Sequence, residues 1–267
     1  MVLAADSMID QPIVLRNDQD GISTLTLNRP TQYNALSAEM LSALQIALDD
    51  IAADESVRVL IIAANGKAFC AGHDLKEMRT SEDRAFHQAL FDQCGRMMLS
   101  IHSLPQPVIA RVNGIAAAAG CQLVANCDLA VTVEDARFAV SGINLGLFCS
   151  TPAVPLSRNL PRKQALHMLL TGDFISARQA LEYGLVNEVV AAADLESATL
   201  EMAHKIAAKS SPAIRLGKKM FYRQLSMDLS EAYAYASERM ACNMDSHDAR
   251  EGIDAFIQKR QPEWKHS

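Results

Sequence analysis

No pair of cysteines in this sequence is spaced as CxxC. The six cysteines (Cys70, Cys94, Cys121, Cys127, Cys149 and Cys242) therefore read as reduced, mostly buried thiols of a cytosolic protein. The seven histidines form no HExxH, so no structural metal is expected. GxGxxG and the GxxxxGK phosphate loop are both missing, which leaves no dinucleotide turn and no P-loop. Basic residues are in deficit, 25 Lys and Arg against 31 Asp and Glu, and a net charge of −6 argues against a nucleic-acid surface. No apolar run reaches the ~18 residues that span a bilayer. The longest, Gly114 to Val124, is interrupted by Gln122. The opening MVLAADSMID has neither a basic segment leading into an apolar one nor the arginines of a transit peptide, so a cytoplasmic location is expected.

What is present is ordinary globular composition: 267 residues, 49% hydrophobic and 21% charged, enough for one large domain or a domain with an appendage. Ile22 to Leu27 alternates apolar and polar residues, the period of a half-buried strand. After the Asn28-Arg29-Pro30 break, Ser37 is placed to cap a helix whose apolar positions are Met40, Leu41, Leu44, Ile46, Leu48 and Ile51. Val57 to Ala63, Pro107 to Val112 and Leu129 to Val133 are short strand-like runs, the first two ended by Asn-Gly. A long helix is expected around Ser81 to His102, and another over the Gly114-to-Val131 stretch. Alternation on this scale predicts an α/β fold with crossover connections. From about Ser176 the pattern turns helical, so the last 70 or so residues are expected to form a helical appendage.

Two segments, "GKAFCAGHDLKEM" and "VNGIAAAAGCQ", place small residues where a strand runs into a helix. The first N–H groups of a helix lack internal partners, and the helix dipole adds positive potential there. Small side chains allow a ligand oxygen to approach those donors. Taken alone, such residues equally serve close packing.

The two segments, set among "LNRPTQYNAL", "ARFAVSGINLGL", "LTGDFISARQALEYGLVNEVV" and "EGIDAFIQKRQPEW" in this order, resemble the enoyl-CoA hydratase/isomerase (crotonase) superfamily over nearly the whole chain. The wording "AAAAGCQLVA" and "GLFCSTP" resembles one subgroup with mitochondrial animal members. The resemblance implies a spiral of ββα repeats, with residues 1–195 forming the core and acyl-CoA site. Residues 196–267 then form a helical region that trimerises, often as a dimer of trimers. It implies no separate cofactor, because the coenzyme A thioester is itself the ligand, and a role in fatty acid metabolism as a lyase or isomerase. The backbone N–H groups of His73 and Ala119 match the oxyanion donors that hold the thioester carbonyl. Ala35, Ala71, Asp74 and Leu75 match the walls around the CoA adenine, and Phe256 and Lys259 match positions that reach the CoA of a neighbouring subunit.

The chemistry departs from this pattern. Hydration needs one carboxylate to activate water and another to deliver a proton to carbon. At the two family positions for these Glu residues the chain has Gln122 and Gly142. Nearby Asn144 cannot titrate in their place, so neither hydration nor ordinary isomerisation is expected. An enolate-stabilised reaction such as decarboxylation or thioester hydrolysis is the expectation, with a non-catalytic acyl-CoA-binding protein as the alternative.

Several side chains carry two readings each. His73 is either an acid or base near neutral pH or a solvent-facing side chain whose N–H alone is used. Glu77 is either its orienting partner at i+4 or a solvated helix residue. His87 lies either in the region that lines the acyl pocket of relatives or in core or surface packing. Ser150 or Thr151 before Pro152 is placed as a helix N-cap. The other reading makes Cys149 a nucleophile with a lowered pKa, or has Ser150 position a water. Gln122 either donates to a thioester oxygen or orients water, or it is a buried amide satisfied by Asn126.

Overall fold

The computed structural model describes residues 11–266, so the MVLAADSMID opening lies outside the described chain. Strands β1 (Val14–Gln19) and β2 (Ile22–Leu27) form an antiparallel hairpin. Its turn residues Asp20 and Gly21 take φ of 52° and 77°, the mirror-image turn that matches strand twist. β1 is mostly exposed, which is why no apolar alternation marks it in the sequence.

Helix α1 (Ala38–Ala53) begins as expected: the Ser37 hydroxyl accepts from the Met40 N–H at 3.2 Å. Its buried stripe is Met40, Leu41, Leu44, Leu48 and Ile51. Ile46, counted with this set from sequence, is 63% exposed, because two residues past Leu44 a helix has turned by about 200°.

The core is then built in repeats of two strands and a helical segment. β3 (Val59–Ala64) and β4 (Ala68–Cys70) lead to α2 (Leu75–Met78) and α3 (Arg84–Ser103). β5 (Val108–Val112) and β6 (Ile115–Ala117) lead to α4 (Ala119–Asn126). β7 (Leu129–Val133) and β8 (Arg137–Ala139) lead to α5 (Ser150–Asn159) and α6 (Arg162–Thr171). Each turn of this spiral lays its first strand in one sheet and its second in another. β9 (Ile175–Ser176), α7 (Ala177–Tyr183) and β10 (Glu188–Val190) complete it. The larger sheet has the order β1-β2-β3-β5-β7-β10, parallel beyond the hairpin, and the smaller has the order β4-β6-β8-β9. The fold is the expected crotonase-type spiral.

Two sequence expectations need correction. The Gly114-to-Val131 stretch is not one helix. Ile115–Ala117 pairs with β4 and β8, and α4 starts only at Ala119. Alanine favours helix intrinsically, but that preference is well under ~1 kcal/mol per residue, and pairing with two neighbouring strands overrides it. The chain after Ser176 is likewise not purely helical, since β10 adds a parallel strand beside β7.

Four helices follow: α8 (Leu195–Ala207), α9 (Ser211–Gln224), α10 (Leu229–Met244) and α11 (His247–Gln258). α8 packs on the larger sheet through Leu195, Thr199, Ala203 and Ala207. α9 and α10 bury no residue within one chain, and α11 buries only Asp248 and Ala255. Among the described residues no helix is long and apolar enough to cross a membrane.

Candidate active site

The two small-residue loops meet. Gly72 has φ of 99°, and a Cβ there would fall 2.9 Å from Ala118 Cβ, 3.0 Å from Ala117 O and 3.3 Å from Ala119 N. Glycine at this position is what lets the first loop press against the start of α4.

Each loop presents one spare donor. Leu36 forms a parallel bridge with His73, in which the Leu36 N–H donates to Gly72 O (2.8 Å) and the Asp74 N–H donates to Leu36 O (3.3 Å). In a parallel ladder the intervening N–H, that of His73, points away from the partner strand. The Ala119 N–H is the first of α4 and has no carbonyl one turn back to bond. Ala118 before it holds φ of 48° and ψ of −117°, fixed by its own N–H bond to Ala139 O at 2.8 Å. An alanine in this region stores about 1–3 kcal/mol of strain. Nothing in the run of alanines signals that turn.

Both donors border a cavity of ≈ 650 Å³. Ala35, Ala71, Asp74 and Leu75 line it, as do His73, Ala119, Gly142, Cys149 and Ser150. Sequence reasoning missed much of its apolar wall: Met78, Phe91, Leu145, Leu147 and Phe148. These look like ordinary helix and loop hydrophobics until the spiral gathers them on one surface.

Five expected site residues do not line the cavity. Gln122 is 4% exposed and is not among the residues that line the cavity. Its Oε1 accepts no hydrogen bond among the described residues, while Asn126 donates to Met98 O at 2.8 Å, so the expected Gln122–Asn126 pair is absent. The His87 ring bonds Met78 O at 3.0 Å, tying α3 to α2 outside the cavity. Asn144 lies against Gly172. Phe256 is 85% exposed on α11, and Lys259 ends that helix at φ of 54°. Within one chain neither lines this cavity.

The one carboxylate of the wall is already engaged. Asp74 pairs with Arg29 at 3.4 Å and accepts the Lys76 and Glu77 N–H groups at the start of α2. Glu77 accepts the Ala38 N–H at 3.0 Å, so it caps α1 and is neither a solvated residue nor a partner of His73. The His73 imidazole does not face solvent. Both ring nitrogens are shut away from solvent, and the ring meets Phe91 edge-on at 5.4 Å and 82°. Burial pushes its pKa below the usual histidine value, and a hydrogen bond with the Leu36 backbone opposes that shift in part.

The opposite wall is built around Cys149, whose Sγ accepts the Gly142 N–H at 3.3 Å. Burial raises the thiol pKa and that N–H only partly offsets it, so the thiolate expected of a nucleophile is disfavoured. Cys149 also occupies the cap position of α5, one residue before the expected Ser150 or Thr151, and makes no side-chain cap bond. The Ser150 hydroxyl donates to Phe148 O at 3.4 Å. A Cβ on Gly142 would fall 2.7 Å from both Cys149 Sγ and Leu147 O. The position of the second family carboxylate therefore has no room for a side chain.

A ββα spiral with two convergent backbone donors over an apolar cavity is the architecture of crotonase-type acyl-thioester enzymes. The family model described as enoyl-CoA hydratase/isomerase matches residues 17–267, and the chain belongs to that family. It is 49% identical over 247 residues to the human enoyl-CoA hydratase domain-containing protein 3, mitochondrial, covering 92% of this chain and 82% of that one. The crystal structure of human enoyl Coenzyme A hydratase domain-containing protein 3 superposes with a TM-score of 0.92 at 47% identity, covering 95% of this chain and 100% of that one. The structure of a Mycobacterium smegmatis enoyl-CoA hydratase superposes at 0.94 with 57% identity, covering 95% and 99%. The cytoplasmic location expected from the sequence is withdrawn, because the human relative bears a mitochondrial name.

Proposed function

We propose that this protein binds acyl-CoA thioesters with the thioester carbonyl held between the His73 and Ala119 N–H groups, and that it catalyses decarboxylation or thioester hydrolysis instead of hydration. The observation that carries this reading is the pair of free donors facing a wall whose one carboxylate, Asp74, is held by Arg29 and two amides. Fixed donors at a developing oxyanion contribute about 3 kcal/mol each.

Decarboxylation asks least of such a site. The bond from the α-carbon to the substrate carboxylate breaks, its electron pair forms the enolate, and the N–H pair takes the oxygen charge. Phe91, Leu145, Leu147 and Phe148 supply an apolar wall that strips water from that carboxylate. In thioester hydrolysis the same donors hold the oxyanion formed as water adds to carbon, before the C–S bond breaks and CoA leaves as the thiolate. The exposed Phe221, Leu225, Leu229, Tyr233 and Met240 of the C-terminal helices support assembly as a homotrimer or dimer of trimers. In such an assembly Phe256 and Lys259 cover the CoA of a neighbour.

A panel of acyl-CoA esters, including malonyl-type thioesters, tests this reading by product detection. CO2 or free CoA is expected from at least one member, with crotonyl-CoA hydration far below hydratase-like turnover of ~10 s⁻¹. Hydration at that rate would refute it. Binding without any product would favour the non-catalytic alternative, which the engaged Asp74 and the crowded Gly142 also support.

A further inference from the structure

We propose that the buried His73 side chain is a positioning residue: held by Phe91 and the Leu36 backbone, it aims the N–H of its own residue at the thioester carbonyl. The inference rests on the acyl-CoA reading above and adds to it the device that fixes one of the two donors.

The bridge between Leu36 and His73 does not by itself hold His73. Its two hydrogen bonds use the carbonyl of Gly72 and the N–H of Asp74, so the residues on either side are tied and both backbone groups of His73 are left out. The Ala71 N–H is bonded as well, to Tyr33 O at 3.0 Å, and Asp74 caps α2. Between these fixed points stands Gly72, at φ of 99°. Glycine is the residue with the most backbone freedom. A donor on the residue after such a glycine needs an anchor of its own, because a peptide that rocks out of line loses the angle a hydrogen bond requires.

The His73 ring supplies that anchor. It meets Phe91 edge-on at 5.4 Å, and Phe91 stands on α3, whose Leu90, Cys94, Met97, Met98 and Ile101 are buried in the core. The ring therefore leans on a rigid support. Both ring nitrogens are shut away from solvent, and the ring makes a hydrogen bond with the Leu36 backbone. Residue 73 is thus tied to the same residue that the bridge uses to hold Gly72 and Asp74. Phenylalanine or leucine would fill the space at a lower cost of desolvation, yet neither can make that bond. Burial also disfavours the imidazolium, so the ring makes its bond as a neutral group. A side chain held on two sides fixes the Cα it leaves from, and with it the direction of the N–H on that Cα.

The test is the infrared carbonyl band of butyryl-CoA isotope-labelled at the carbonyl carbon, read free and bound at saturating protein so that no turnover is needed. The band is expected to move to lower frequency on binding to the unsubstituted protein, as two N–H donors draw charge onto the oxygen. His73→Ala keeps the N–H and removes its anchor, and about half of that displacement is expected to be lost, one donor of two. His73→Phe fills the space and lacks only the bond to Leu36, so a smaller loss is expected, and it serves where the alanine variant does not fold. A role confined to stability would lower the unfolding temperature and leave the band of the bound ester in place. A full displacement in His73→Ala, or in His73→Phe if His73→Ala does not fold, overturns this proposal alone. Binding of butyryl-CoA to the unsubstituted protein with no displacement, or no binding at all by calorimetry, overturns the acyl-CoA reading and this one with it.

Discussion

The two walls of the cavity are built in opposite ways. The His73–Ala119 wall is assembled from backbone: a parallel bridge, a glycine contact and a strained alanine hold two N–H groups in place. The Gly142–Cys149 wall is assembled from side chains on a loop, with Leu145 and Leu147 more than half exposed and no charged group among its cavity-lining residues. The first wall offers two N–H groups without carbonyl partners, and the second offers no carboxylate.

The backbone wall is also secured from behind. Asp128, between α4 and β7, accepts the Val108 N–H at 2.7 Å, the Lys218 ammonium at 2.7 Å and the Tyr222 hydroxyl at 2.7 Å. Lys218 also donates to Ile101 O and Gln106 O, which docks α9 on the core. Lys218→Met leaves the half-buried Asp128 carboxylate with only the Val108 N–H and the Tyr222 hydroxyl, and a loss of about 1–3 kcal/mol is expected. Urea unfolding reads it, and Lys218→Met with Asp128→Asn should cost less than the sum of the single changes. An additive pair would show that the ammonium and carboxylate are not coupled.

On the cavity side of the same wall, Gly72→Ala puts a Cβ 2.9 Å from Ala118 Cβ and forces the loops apart. Loss of one aligned donor, about 3 kcal/mol or a ~10²-fold fall in kcat/KM for the reactive thioester, is the expected result. An unchanged kcat/KM would mean that the two N–H groups do not act as a pair.

The loop wall sharpens the contrast. Gln122→Glu with Gly142→Glu restores both carboxylates on paper, yet the second side chain collides with Cys149 Sγ and Leu147 O. The double variant should remain without hydratase-like turnover of crotonyl-CoA and lose about 1–3 kcal/mol to overpacking, read by thermal unfolding. Adding Cys149→Gly should recover part of that stability. Efficient hydration by the double variant would show that the loop moves aside at little cost.

Much of this was legible in the residues. The β2 alternation, the Ser37 cap and the order of the motif loops led to the fold, because each depends on contacts a few residues apart. The meeting of the two small-residue loops could be read as well, since the motifs that carry them keep the family's order. The partners of particular side chains were not legible. Glu77 was read against His73 because helix spacing relates residues four apart, but it bonds Ala38, thirty-nine residues earlier in the chain. Gln122 was read against Asn126 for the same reason, and Asn126 instead reaches α3.

What the sequence by itself determined is the family and the spiral, since residue types and their order carry that information directly. Only the tertiary structure decided that Gly142 has no space for a side chain, that Ala118 takes a strained turn and that both His73 ring nitrogens are shut away from solvent. Each of these depends on segments distant in sequence meeting within a few ångströms, and no local pattern of residues encodes such a meeting.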